Sequence, residues 1–281
     1  MDKEHQAIER LRYAANVAYD YYKAPLIITY SGGKDSEVLL ALALRAGIDF
    51  EAQHNHTTAD APETVYHVRQ RFKALESSGV PCTINMPHYK GLPTSMWALI
   101  PHYGPPTRLF RWCCKIFKEG NGGCIATGVR WAESSNRKQS RGILEANREH
   151  IFDDDNAESR REFETCPIKG KTTINPIIDW SDADVWGFTR AEHLPVNPLY
   201  NCGFSRVGCI GCPKANNFRR TQFARYPKYE QFYRRAFAKM LQRRMGAGKD
   251  DLAKGWTDSD AVFRWWMRDP EFYGQQRIQG I

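Results

Sequence analysis

Two groups of residues in this 281-residue chain have the types and spacing to do chemistry. The first is Ser31-Gly32-Gly33-Lys34-Asp35-Ser36. Its two glycines let backbone N–H groups approach a polyanion closely, and a helix starting there points its positive end at the same place. Lys34 adds a compact charge, and Ser31 and Ser36 add hydroxyl donors, so the loop reads as a phosphate cradle. It is not the Walker pattern, which needs a longer loop before its Lys-Ser/Thr. The second group is four thiols, Cys113-Cys114 and Cys209-Ile210-Gly211-Cys212. Four thiolates can hold a zinc ion or an iron–sulfur cluster. Adjacent cysteines are awkward ligands for one zinc ion but can reach two irons of one cubane.

The remaining cysteines read differently. Cys82 and Cys124 fall in strand-like runs, as small core residues do. Cys202, seven residues before Cys209, is a working thiol, a substitute ligand or a bystander. Cys166 lies in a loop before a proline and receives no role. His54 and His56 flank Asn55 near a strand end; they could touch a ligand, but a lone pair of polar histidines is more often solvated.

The elements that must position these groups follow from hydrophobic spacing. Ile8, Leu11, Ala15, Val17 and Tyr19 repeat as on an amphipathic helix, which Pro25 stops. Leu26-Ile27-Ile28-Thr29-Tyr30 is a strand-length β-branched run, and Glu37–Ala46 a Leu/Ala-rich helix ended by Gly47. Further strands are expected at Asp49–His56, Cys82–Met86, Cys124–Gly128 and Ile174–Ile178. A helix starts at Asp60-Ala61-Pro62-Glu63, and Ser181 caps another. The charged stretch 150–165 reads as a surface excursion. Strands and helices alternate from residue 25 to about 195. This ordering predicts an α/β fold, a doubly wound, mostly parallel sheet with helices on both faces. From residue 216 the chain turns basic, aromatic and helical. The expected organisation is an N-terminal helix over 1–24, a nucleotide-binding domain over 25–215 and a helical extension over 216–281.

Composition narrows the class. The chain is 42% hydrophobic and 26% charged, as in a globular protein with a real core. No apolar run approaches a membrane span, and the N-terminus has no apolar signal core. The expectation is a cytoplasmic protein whose grouped cysteines bind metal or do chemistry rather than form disulfides. The net charge of +8 suits polyanionic ligands. In the extension, Arg219, Arg220, Arg225, Lys228, Arg234, Arg235, Lys239, Arg243 and Arg244 could track a phosphate backbone, with Tyr and Phe as stacking platforms. An amphipathic helix with a solvated basic face explains the same spacing.

The loop SGGKDS after an apolar strand resembles the PP-loop of the adenine-nucleotide α-hydrolase-like superfamily. Thr57–Thr64 (TTADAPET), Gly128–Arg137 (GVRWAESSNR), and Asn175–Trp180 (NPIIDW) followed by Asp184-Val185-Trp186, resemble successive segments of the phosphoadenosine phosphosulfate (PAPS) reductase family. With Asn197-Pro198-Leu199-Tyr200 and the Cys-Cys and Cys-x-x-Cys pairs, the resemblance extends to its iron–sulfur branch, which includes adenylylsulfate (APS) reductases. It covers roughly residues 25–215, with motifs in matching order. It implies that Ser31, Gly32, Gly33, Lys34, Asp35, Ser36, Gly128, Arg130 and Arg137 bind the nucleotide. It implies that Cys113, Cys114, Cys209 and Cys212 hold a [4Fe-4S] cluster. Guanidinium forks suit phosphate and sulfate oxygens; Arg130, directly after a buried-looking strand, is the stronger candidate of the two arginines. Lys34, Asp60, Arg130 and Cys202 are the candidate catalytic residues.

The family's reductases carry a catalytic cysteine in a C-terminal segment, whereas no cysteine follows Cys212 in this sequence, which ends DPEFYGQQRIQGI. Three functions are therefore carried. One is ATP-dependent, pyrophosphate-releasing sulfur transfer, with Mg2+ as a companion cation and a cysteine desulfurase-type sulfur donor. The second is reduction of APS or PAPS to sulfite by an atypical thiol, with a thioredoxin-type electron donor. The third is a non-catalytic, cluster-bearing nucleotide or nucleic-acid binding protein.

Overall fold

A computed structural model of the chain describes residues 2–119, 122–146, 150–165, 170–248 and 255–267. The helices are α1 Lys3–Val17, α2 Lys34–Ala46, α3 Pro62–Ser77, α4 Met96–Tyr103, α5 Trp112–Phe117, α6 Ser135–Ser140, α7 Ala157–Thr165, α8 Asp182–Ala191, α9 Phe218–Arg225, α10 Pro227–Gly246 and α11 Ser259–Met267. The strands are β1 Leu26–Thr29, β2 Phe50–Asn55, β3 Cys82–Asn85, β4 His88–Tyr89, β5 Leu92–Pro93, β6 Gly123–Ala126, β7 Leu144–Ala146, β8 His150–Phe152 and β9 Lys171–Ile174. No helix among the described residues is long and apolar enough to cross a membrane.

Two compact units form, each from three separated stretches. The first comprises Met1–Asn55, Pro62–Asn85 and Asn121–Val207; the second His56–Ala61, Met86–Gly120 and Gly208–Ile281.

The first unit holds a seven-stranded sheet in the order β3-β2-β1-β6-β9-β7-β8. The first five of these strands run parallel, with Ile28 opposite Ala52 on one side and Ala126 on the other. Leu26 and Ile28 of β1 are fully buried, as are Leu11 of α1 and Leu39 and Leu42 of α2. The expected mostly parallel α/β sheet is present. The chain leaves β1 toward β2 and β3, then returns to place β6 on β1's other side. The carboxyl ends of β1 and β6 thus flank a topological switch point, where open α/β sheets bind ligands.

One local expectation changes and another gains detail. The strand expected at Ile174–Ile178 ends at Ile174. Asn175 is fully buried and its side-chain amide donates to the Gly142 carbonyl and Glu145, while Pro176 has no N–H for a ladder, so the chain turns there. The 150–165 stretch, expected as a surface excursion, is largely exposed and holds regular elements: β8 pairs antiparallel with β7, which pairs antiparallel with β9, and α7 follows.

The second unit is built on α4, α10 and α11, with a two-residue hairpin of β4 and β5. Tyr233, Phe237, Phe223 and Trp266 are buried in it, with Tyr233 and Trp266 ring centroids 4.4 Å apart.

Candidate functional site

The first unit carries the phosphate loop at the end of β1. Gly33 occupies the N-cap of α2 in an extended conformation and has no side chain with which to cap it. A 13-residue helix thus presents its first N–H groups at the loop, as anion sites require. The loop is drawn tight from within. Ser36 Oγ donates to the Gly33 carbonyl at 2.8 Å and accepts from the Ser31 N–H at 3.2 Å. Beneath it, buried Tyr30 donates its hydroxyl to buried Glu37 at 2.7 Å, and Arg71 donates to the other Glu37 oxygen at 2.8 Å.

A second loop, after β6, packs onto the first. A Cβ at Gly128 would stand 3.0 Å from the Asp35 carbonyl and 3.2 Å from the Ser36 nitrogen, so a side chain there would push the two loops apart by a few tenths of an ångström. Arg130 follows at 1% exposure. Its Nε donates to Asp35 at 2.6 Å, one Nη to the Trp180 carbonyl at 3.0 Å and the other to Asp182 at 2.7 Å. Burial opposes its charge, but Asp35 and Asp182 outweigh burial and hold the guanidinium above its ordinary range. Lys34 Nζ lies 3.0 Å from Asp35 and 3.2 Å from Asp182. Asp182, hydrogen-bonded chiefly by Arg130 and then by Lys34, is held below the usual carboxylate range. Two cations and two carboxylates thus alternate at the switch point.

Beside them opens a pocket of about 450 Å³ lined by Lys34, Asp182, Trp186, Tyr200 and Phe204 among others. Tyr200 accepts the Lys34 N–H at 3.0 Å through its hydroxyl, and Asn197 donates to the Gly32 carbonyl at 3.0 Å. Cys202 ends the turn Pro198–Cys202 that carries Tyr200, and it is exposed. Arg137, on α6, is half-buried and ion-paired with Glu133. His54, expected to be solvated, is buried, with Nδ1 2.8 Å from the Tyr30 carbonyl. Asp182 was not singled out from sequence, and Asn197 and Tyr200 were read there only as part of a family motif, with no role at the loop. The acidic first turn of α8 was the available signal for Asp182.

The second unit carries the thiols. Cys113 and Cys114 lie in the short helix α5, and Cys209 and Cys212 close a turn in which the Cys212 N–H donates to the Cys209 carbonyl at 3.2 Å. Gly211 in this turn has φ +76°, and a Cβ there would come within 2.6 Å of Phe223 and 2.8 Å of Tyr233. The neighbours that forbid a side chain also hold the turn. Tyr233 donates to the Ile210 carbonyl at 2.9 Å, Gln222 accepts from the Gly211 N–H at 2.9 Å, and the Ile210 N–H donates to the Ala59 carbonyl at 2.7 Å. The aromatic side of the C-terminal helices is thus the bed of the cysteine turn, and Phe223, Tyr233 and Phe237 are not stacking platforms.

The other three thiols all act on the charge of Cys113. Cys113 is raised well above the usual thiol range, first by its hydrogen bond to Cys114, then by burial and by the charges of Cys114, Cys209 and Cys212. Cys114 is lowered to about 6, chiefly by that hydrogen bond. Burial pushes Cys209 up to about 11; Lys118 opposes this, and Thr57 Oγ1 lies 3.3 Å from the sulfur. Lys118 is itself raised, first by Cys209 and also by Asp60, Cys114 and Cys212. A donor set of four thiols with an adjacent cation fits a thiophilic group such as an iron–sulfur cluster, whose bound form is anionic. Asp60 belongs to this unit: its carboxylate accepts the Thr57 N–H at 2.7 Å and lies 3.4 Å from His56, and its carbonyl accepts from Tyr229. Cys124 is buried, Cys82 is half-buried and pushed up to about 11 by burial, and Cys166 lies outside the described residues.

Comparison with known proteins places these features in context. Residues 25–215 match the phosphoadenosine phosphosulfate reductase domain. An uncharacterized protein of Methanocaldococcus jannaschii is 27% identical over 253 residues, covering 88% of this chain and 47% of that protein. The adenosine 5'-phosphosulfate reductase of Burkholderia cepacia is 32% identical over 104 residues, covering 37% of this chain and 36% of that enzyme. The crystal structure of phosphoadenylyl-sulfate reductase from Candida auris aligns with a TM-score of 0.45 at 19% identity, covering 73% of this chain and 88% of that one. The chain spans about half the length of the two M. jannaschii relatives it matches.

Proposed function

This chain belongs to the phosphoadenosine phosphosulfate reductase domain family, and on that premise we propose that it binds ATP at the Ser31–Ser36 loop and activates an acceptor for sulfur transfer with release of pyrophosphate. One observation carries the choice of ATP. The carboxylate of Asp182, 68% exposed, stands 3.2 Å from Lys34 Nζ beside the pocket, with Asp35 on the other side of the same ammonium. A bare sulfonucleotide would meet two carboxylates at the cradle. Magnesium triphosphate brings a hard cation that such oxygens favour. Asp35 and Asp182 would hold that ion, which supplies charge neutralisation of the polyphosphate.

The chemistry balances without an external oxidant. An oxygen of the acceptor attacks the α-phosphorus, the bond to the β-phosphate oxygen breaks, and pyrophosphate leaves with the electron pair. Hydrosulfide then forms a bond to the activated carbon, AMP leaves with the oxygen, and a proton is released. The Lys34 ammonium and the first-turn N–H groups of α2 beyond that of Lys34, which Tyr200 takes, would face the charge that develops on the phosphates. Arg130 holds Asp35 and Asp182 in place. Cys113, Cys114, Cys209 and Cys212 would hold a [4Fe-4S] cluster with one thiolate to each iron, so sulfide would reach an iron only by displacing one of these four thiolates. A cysteine desulfurase-type protein is the proposed source of that sulfur. Gly128 shapes the cradle, and Arg137 and Asp60 are assigned to nucleotide contact and to support of the thiol turn.

A second reading is favoured by the APS reductase relatives and by the exposed thiol of Cys202. There the Cys202 thiolate attacks the sulfur of APS or PAPS, the sulfur–oxygen bond to phosphate breaks, and the nucleotide leaves. A thioredoxin-type dithiol then supplies two electrons, releasing sulfite. Anaerobic assays of the iron-loaded protein separate the two. Pyrophosphate from ATP supports the first; sulfite from APS or PAPS, lost in Cys202→Ser, supports the second.

A further inference from the structure

Helix α10 divides its residues by face. Tyr233, Ala236, Phe237 and Met240 are buried. Lys228, Arg235 and Lys239, spaced seven and four apart, fall about two turns and one turn from each other and line the opposite side over roughly 16 Å. All three are exposed, and among the described residues none is in an ion pair. The helix has one acidic residue, Glu230, and it is taken by Arg234, which also pairs with Asp260. Phe232 lies within this basic stripe, 38% exposed, its ring 5.4 Å from half-buried Trp97 and 6.1 Å from Tyr229. The other basic residues of the extension divide too: Arg219 is buried over the Trp266 ring and Arg244 lies over Trp256. Arg219, Arg234 and Arg244 thus leave the phosphate-tracking set read from sequence; Arg220, Arg225 and Arg243 stay exposed, and Lys228, Arg235 and Lys239 are its aligned row on α10.

We propose that this face binds unpaired RNA, with phosphates on Lys228, Arg235 and Lys239 and a base stacked on Phe232. A row of cations without carboxylates matches a phosphate backbone. An exposed ring inside the row offers a π-face to a base, which a duplex keeps in its own stack. Unpaired, splayed bases are the usual recognition element of folded RNA. The surface goes beyond the proposed reaction and does not depend on it, because binding is measured with no nucleotide present.

The test is fluorescence anisotropy of the full chain with a labelled RNA hairpin, its fully paired RNA duplex, the DNA hairpin of the same sequence, and anionic phospholipid vesicles as competitor. The hairpin should bind, and K228Q/R235Q/K239Q should weaken it at least tenfold. The slope of log K against log salt should fall by about two, from ~0.7 per single-strand phosphate contact. Phe232→Ala should weaken binding about fivefold or more at unchanged slope. Far-UV circular dichroism of both variants should match the parent. Equal binding by the triple variant would overturn the proposal, as would duplex or DNA binding as tight as the RNA hairpin, or full displacement by vesicles.

Discussion

The Nε of Arg130 donates to Oδ1 of Asp35 across 2.6 Å, tying the loop after β6 to the first turn of the helix after β1. The bond reaches across the switch point of the sheet, so the phosphate cradle is held from both sides. Arg130→Ala should leave Asp35 and Asp182 without their buried cation. Hydrogen bonds to charged groups contribute about 1.5–3 kcal/mol, so ATP affinity should fall roughly tenfold to a hundredfold. Isothermal titration and thermal melting of the variant check this, with a lowered Tm also expected.

Lys34→Ala should weaken nucleotide binding and leave the fold intact, because the Lys34 side chain pairs with carboxylates at the pocket and not within the apolar core. Equal ATP affinity in variant and parent would count against the loop assignment.

Asp182→Asn should separate the two nucleotide classes. Magnesium-dependent ATP affinity should drop, while affinity for APS measured without metal should hold or rise as a carboxylate beside Lys34 is lost. Paired titrations with and without Mg2+ read the difference.

Asp184 gives a pH signature. Lys3 first, then the Ser181 N–H and hydroxyl, lower it to about 2. Its folded pKa lies below the unfolded value near 3.9, so its stabilising effect is complete above about pH 4 and is lost as pH falls toward 2. Acid unfolding of Asp184→Asn should lose that part of the transition, and Ser181→Ala, which removes the α8 cap, should cost about 1 kcal/mol.

Gly211→Ala should disrupt the thiol turn by collision with Phe223 and Tyr233. Anaerobically purified parent protein should carry about four iron atoms per chain, and Gly211→Ala and Cys209→Ser should carry fewer. One zinc and no iron in the parent would contradict the cluster assignment.

Legibility in the sequence followed the range of the interactions. The loop at Ser31–Ser36 was plain because glycine, lysine, strand and helix signals are all local. Arg130 was visible from its place after a strand. Asp182 was not, because its meaning depends on two elements meeting at a switch point that only the strand order creates. Strand β8 was hidden by a charged context and a length of three residues. The C-terminal helices were legible as helices, but the use of their aromatic side needed the cysteine turn lying against it. Nor does any local pattern announce that 56–61, 86–120 and 208–281 gather into one unit.

The most direct measurement is phosphorus NMR of magnesium ATP incubated with the anaerobically prepared, iron-loaded protein, sulfide and total cellular RNA. The expected result is AMP and pyrophosphate in equal amounts, absent in Lys34→Ala. Unchanged ATP, together with sulfite formed from APS or PAPS under the same conditions with a dithiol, would contradict the assignment of ATP to this loop.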